Sequence, residues 1–213
     1  MTRIILVRHG ETQWNKEGRY QGQIDTELSE EGYRQTKLVA EALKDYKIDV
    51  FYGSPLKRSY LTAEMIAKYH GEPKIKIEPR FTEISHGEWE GLLSSEVSEK
   101  YADMVQAWKD QPHTVHMPGG EHLDQVQQRS MAAIYDIVQN HPNQTVLVAA
   151  HDAINKVIIC GVLEIGLKNF WKVKQDNTGI SVLEFYPDTA RVCVINDTCH
   201  LGGLITTKEQ SAL

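Results

Sequence analysis

The chain has few cysteines, no long apolar run and no surplus of positive charge, and each shortage removes a class of answers. Its 213 residues hold three cysteines, Cys160, Cys193 and Cys199, an odd number without CxxC spacing. That argues against a disulfide framework and against a zinc site. Cys160 sits in an apolar run and reads as core. No stretch approaches the length needed to span a bilayer. The chain enters a strand directly after Arg3, without the apolar segment of a signal peptide, so the cytoplasm is the expected location. A formal net charge of −6 argues against wholesale nucleic-acid binding. Any anion site must then be local, built from a few arginines. Repeats, low-complexity tracts and linkers are missing too, so 1–213 reads as one domain.

What is present is an alternation of strands and helices. Ile4 to Val7 is a short apolar run that reads as a buried strand. A polar loop from Asn15 to Thr26 follows. Ser29 reads as the N-cap of a helix reaching about Tyr46 and burying Leu38, Ala42 and Leu43. Val50 to Tyr52 is a second strand, and Ser54-Pro55 reads as N-cap and first residue of a helix ending near His70, with Gly71 behind it. Ile75 to Ile77 alternates like a strand. The segment from Ser94 to Gly120 reads as one helix and loops, and His122 to Gln139 as a long helix. Thr145 to Ala150 is an apolar strand, followed by a buried helix from Ala153 to Leu163. Ile180 to Tyr186 and Ala190 to Ile195 are two more strands joined at Pro187-Asp188. Such alternation predicts an α/β three-layer sandwich, a mostly parallel central sheet with helices on both faces.

Three of these strands end in polar residues. The first ends at Arg8-His9-Gly10, the second leads to Arg58 in the first turn of a helix, and Thr145 to Ala150 ends at His151. If the strands are parallel and adjacent, two guanidiniums and two imidazoles meet at one edge of the sheet, where α/β folds bind ligands. Arginine forks match phosphate oxygens, and the helix N-termini behind two of the strands add backbone donors. Taken singly, each histidine reads as structural and Arg58 as a surface residue; their convergence carries the functional reading. Arginines beside the histidines repel a cation, and no carboxylate sits at ligand spacing from either one, so the chemistry expected is that of an anion without metal or other cofactor.

These residues carry a signature. Leu6-Val7-Arg8-His9-Gly10-Glu11-Thr12 with Trp14-Asn15 resembles the histidine phosphatase superfamily, also called phosphoglycerate mutase-like. The likeness continues through Arg19-Tyr20-Gln21-Gly22, Asp25, Leu28-Ser29, Gly32, Ser54-Pro55-Leu56-Lys57-Arg58-Ser59 and Thr62-Ala63. It then takes in Glu83, Gly87, Trp89-Glu90-Gly91, Gly119-Gly120-Glu121, Arg129 and His151. A narrower set resembles the metal-independent phosphoserine phosphatases of that superfamily: His86-Gly87, Pro112-His113, Asn143 to Val146, Phe170-Trp171, Asp176-Asn177 and Thr198-Cys199-His200-Leu201.

The resemblance implies a phosphoric monoester hydrolase in which His9 is the nucleophile and forms a phosphohistidine. It implies that Arg8, Asn15, Arg58 and His151 hold the phosphoryl oxygens and that Glu83 moves the proton. Gln21-Gly22 is placed to offer a backbone N–H to phosphate, and His86, Cys199 and His200 to contact the substrate. The substrate it points to is L-phosphoserine. A broad sugar or nucleotide-pathway phosphatase, a phosphoglycerate mutase and a silent binding module on the same fold are the alternatives. The expected partner is a small phosphorylated metabolite, with neither nucleic acid nor membrane, and a homodimer is left open. Asp152 departs from the family pattern; it is expected to cap the following helix and point away from the phosphate.

Overall fold

The computed structural model describes residues 1–203. Its strands are β1 (Thr2–Arg8), β2 (Val50–Gly53), β3 (Lys76–Ile77), β4 (Thr145–Ala150), β5 (Ile180–Phe185) and β6 (Ala190–Asp197). They form one sheet in the order β3-β2-β4-β1-β5-β6. β1 runs parallel to β4, as β2 does to β3 and β4, whereas β5 is antiparallel to β1 and to β6. The helices are α1 (Gln13–Glu17), α2 (Glu30–Leu43), α3 (Lys57–Ala67), α4 (Ser94–Lys100), α5 (Ala102–Asp110), α6 (Leu123–Asn140) and α7 (Asp152–Val162).

Period-two alternation in β1 explains the layers. Ile5 and Val7 face one side, packing with Val39 and Leu43 of α2 and Ala63 and Ile66 of α3. Ile4 and Leu6 face the other, packing with Ile134 and Ile137 of α6 and Ile154 and Ile158 of α7. Strands covered on both faces read as continuous apolar runs, as Ile4 to Val7 and Val146 to Ala150 do. The expected mostly parallel sheet between two helical layers is therefore present. Among the described residues, no helix is long and apolar enough to cross a membrane.

Four expectations need correction. Ser29 is indeed the N-cap, its hydroxyl accepting from Gly32 N, but α2 stops at Leu43 and buries Val39, Ala40 and Leu43; Ala42 is exposed and Leu38 only half-buried. Ser54 does not cap α3, which starts three residues later behind Leu56. Backbone from Ser54 is first used to bond Ala149 O at 3.2 Å, holding the turn against β4. The loop after β1 contains α1, capped by Thr12. Finally, 94–120 holds two helices, separated at Tyr101, whose φ of −131° and ψ of 41° interrupt the helical run.

Candidate active site

Adjacent parallel strands bring their polar ends together. β1 ends at Arg8, and His9 N bonds Ala150 O, the end of β4, at 3.0 Å. His151 follows at once as the N-cap of α7, and the His9 and His151 rings lie 5.2 Å apart. β2 lies on the other side of β4, so the turn after it delivers Arg58 to the same edge. Arg8, His9, Arg58, Glu83, His86 and His151 are all at most 2% exposed. Gly10 lets the chain leave β1 against α2: a Cβ there would stand 2.5 Å from Thr36 Oγ1 and 2.6 Å from Gly32 O.

His9 Nδ1 lies 2.7 Å from Gly10 O. A carbonyl can only accept, so Nδ1 carries the proton and Nε2 keeps its lone pair. Burial, then the charges of Arg58 and Arg8, hold this imidazole well below its ordinary range, and so it is neutral at physiological pH. Burial and the same cations do likewise for His151. Two buried neutral imidazoles beside two guanidiniums can offer one nucleophilic nitrogen and several donors.

The guanidiniums are pinned at their tips. Arg8 Nη1 donates to Gln175 O at 2.6 Å and Asp152 Oδ1 at 3.3 Å. Arg58 donates to Gly22 O at 2.7 Å and Ile24 O at 2.9 Å. In each case the buried Nε has no protein partner, and neither do the ring nitrogens of His151 or Nε2 of His86. Buried donors left unpaired are costly, and a cluster of them calls for an anion.

Glu83 completes the cluster. Its Oε1 accepts from Ile84 N at 2.8 Å and its Oε2 from Ala153 N at 3.4 Å. Burial, then the charge of Asp152, raises this carboxyl above the ordinary glutamate range. Its loop is held by Arg129, which donates to the carbonyls of Arg80, Thr82 and Glu83 and pairs with Glu121.

The remaining expected site residues are placed less uniformly. Asn15 Oδ1 is taken by Thr12 N and Thr12 Oγ1, and Gln21 Oε1 accepts from Thr12 and Thr26. Gly22, with φ of 51°, presents its carbonyl to Arg58. His86 is buried, with Nδ1 2.8 Å from Met117 Sδ; burial, then Arg58, brings it down to about 3. His200 Nε2 lies 3.0 Å from Thr178 Oγ1, and Thr178 N in turn bonds the carbonyls of Arg8 and His9. Cys199 is exposed, its thiol set against Asp197.

Sequence reasoning gave the segment Gln175–Thr178 no role in the site, although Asp176-Asn177 belongs to the narrower resemblance. Gln175 O binds Arg8, and Asn177 Nδ2 donates to His9 O at 3.1 Å. Besides that resemblance, the local signal was a polar run just before a strand. Asp152 is a plain correction: His151, not Asp152, is the N-cap, and the Asp152 carboxylate does not turn away but pairs with Arg8 and Lys156. As the first helical residue its side chain is directed back along α7 toward the cluster. Among the described residues, no group of three or more His, Cys, Asp or Glu could hold a metal ion.

Comparison with known proteins adds four findings. The model of the histidine phosphatase superfamily (branch 1) matches residues 4–198. Phosphoserine phosphatase 1 of Hydrogenobacter thermophilus is 43% identical over 202 residues, 95% of this chain and 95% of that protein. The metal-independent phosphoserine phosphatase of Arabidopsis thaliana is 39% identical over 160 residues, 74% of this chain and 67% of that protein. Among solved structures, a mutant phosphoserine phosphatase of Entamoeba histolytica in complex with phosphoserine is similar at a TM-score of 0.81 and 30% identity, covering 94% of this chain and all of that one.

Proposed function

The chain belongs to the histidine phosphatase superfamily, and from that premise we propose that it hydrolyses L-phosphoserine to L-serine and phosphate through a phosphohistidine at His9. The observation that carries the reading is the buried neutral imidazole, its Nδ1 proton held by Gly10 O and its Nε2 free. In the first step His9 Nε2 attacks phosphorus while the bond from phosphorus to the serine oxygen breaks. Glu83, whose carboxyl is raised above the ordinary range by burial and then by Asp152, gives its proton to the departing alkoxide. In the second step the Glu83 carboxylate takes a proton from water, whose oxygen attacks phosphorus as the bond to Nε2 breaks.

Charge is offset by Arg8, Arg58 and His151, whose unpaired buried donors suit phosphoryl oxygens. The Asn15 NH₂ and the Gln21-Gly22 backbone are further contacts. Phosphoryl transfer is mostly positioning and electrostatics, and two arginines provide the cationic clamp that a metal ion provides elsewhere. For the serine portion we assign His86, with its free Nε2, and His200, linked through Thr178 to the nucleophile's backbone. Cys199, exposed beside Asp197, has a weaker claim to a substrate contact. Three free thiols suit a cytoplasmic setting.

The test is rapid-quench labelling with ³²P-phosphoserine in the presence of chelator. An acid-labile, hydroxylamine-sensitive label on the protein is expected, lost in His9→Ala. Failure to trap it, or a need for added magnesium, would overturn the mechanism. A strong preference for a sugar phosphate in a parallel phosphate-release screen would overturn the substrate.

A further inference from the structure

Asp152 is 1% exposed and stands between two cations. Its Oδ1 is 3.3 Å from Arg8 Nη1, and its Oδ2 is 2.7 Å from the ammonium of Lys156, one turn along α7. Lys156 is equally buried, with its charge 4.9 Å from the ring centre of Phe170 and 4.4 Å from that of Trp171. Burying both ions forfeits their hydration, and an apolar pair of similar volume would fill the same space. A gain in packing therefore does not account for them.

We propose that Asp152 and Lys156 form a positioning pair for phosphoryl transfer: Asp152 holds Arg8 in aim at the phosphoryl group and sets a negative charge beside Glu83, and Lys156 limits that charge. The guanidinium is planar, so fixing Nη1 on Gln175 O and Asp152 fixes where the unpartnered Nε points. The pair is neutral as a whole, which explains how a carboxylate is tolerated next to an anion site. Its second effect rests on the reading of Glu83 as the proton donor.

Several groups act on the Glu83 carboxyl. Burial, then Asp152, favours the acid; the Ile84 N–H, Arg58 from α3 and Arg8 from β1 favour the anion. Lys156 on α7 also lies within electrostatic reach of Glu83. Arg129 from α6 binds the Glu83 carbonyl, and the neutral rings of His9 and His151 add no charge. Within this balance Asp152 and Lys156 pull in opposite directions.

The experiment is a ¹³C NMR titration of glutamate-labelled protein, with the Glu83 resonance identified by its loss in Glu83→Gln. Asp152→Asn should lower the Glu83 titration and Lys156→Met should raise it, each by about one pH unit. A role in packing alone would move neither. The double variant Asp152→Asn/Lys156→Met removes both charges together and protects against loss of the fold in either single variant. It should titrate near the unaltered protein yet show a KM for phosphoserine raised about tenfold, because Arg8 keeps Gln175 O but has lost the charged one of its two anchors. Displacements in the same direction, absence of displacement in both single variants, or a double variant with unaltered KM would overturn the inference. The titration is read without turnover. Failure to hydrolyse phosphoserine would therefore count against the proposed function, while the displacements would still decide this one.

Discussion

At the scale of the residue, the working parts are ordinary side chains made unusual by dryness. His9 is nucleophilic because burial and two arginines deny it a proton and Gly10 O fixes its tautomer. Glu83 is suited to the proton-donor role proposed for it because burial, then Asp152, raises its carboxyl above the ordinary range. Glu83→Gln should therefore lower steady-state turnover of phosphoserine by about 10² to 10⁴-fold. Single-turnover formation of the phosphoenzyme from p-nitrophenyl phosphate, whose leaving group needs no proton, should fall far less. Equal losses with both substrates would remove Glu83 from the proton-transfer role. Arg8, His9 and His151 were legible in the sequence because they stand at the ends of apolar strands, and Arg58 because it opens the helix behind one. Glu83 was legible only by resemblance, since a loop carboxylate has no periodicity to mark it. Asp152 was seen and misjudged, because its partners Arg8 and Lys156 are set by how α7 docks on β1, which residue spacing alone does not state.

At the scale of the element, strands were read more faithfully than helix boundaries. Thr145 to Ala150 matches β4 residue for residue, because a strand apolar on both faces leaves little choice. α3 begins late because Ser54 N is spent on Ala149 O and the Ser59 hydroxyl also bonds Ala149 O at 2.7 Å, so β4, not a local cap, sets the start. α2 rolls its Val39 and Ala40 inward, where Leu38 was the more apolar-looking choice. The Ser29 cap does hold: its hydroxyl accepts from Gly32 N at 3.0 Å and donates to Glu11 Oε1 at 3.0 Å. Ser29→Ala should destabilise the protein by about 1 kcal/mol in urea denaturation. A change within error would mean that Glu11 and the backbone hold this helix end without the cap.

At the scale of the whole molecule, three buried neutral histidines link the site to stability. His9 and His151 lie well below the ordinary imidazole range and His86 at about 3. Below about pH 6.5 the unfolded chain binds protons at these positions while the folded chain does not, so stability is full above that pH and is lost as pH falls toward the folded values. Each such histidine contributes a slope of roughly 1.4 kcal/mol per pH unit. The raised Glu83 carboxyl opposes them with a single proton, leaving a net loss on acidification. Urea denaturation at pH 7.5 and 5.5 should show it, and equal stability at the two would contradict the neutral assignment.

β1 pairs with β4 and with the reversed strand β5, and Thr178, just before β5, bonds the backbone of Arg8 and His9. Both neighbours of the nucleophile's strand therefore lie more than a hundred residues downstream in the chain. During synthesis His9 precedes both partners of its strand, and its environment is assembled only once Thr178 and β5 have followed. Contacts of such sequence separation form slowly. Until β5 has joined β1, the polypeptide carries His9 without the buried surroundings that set its tautomer and its charge.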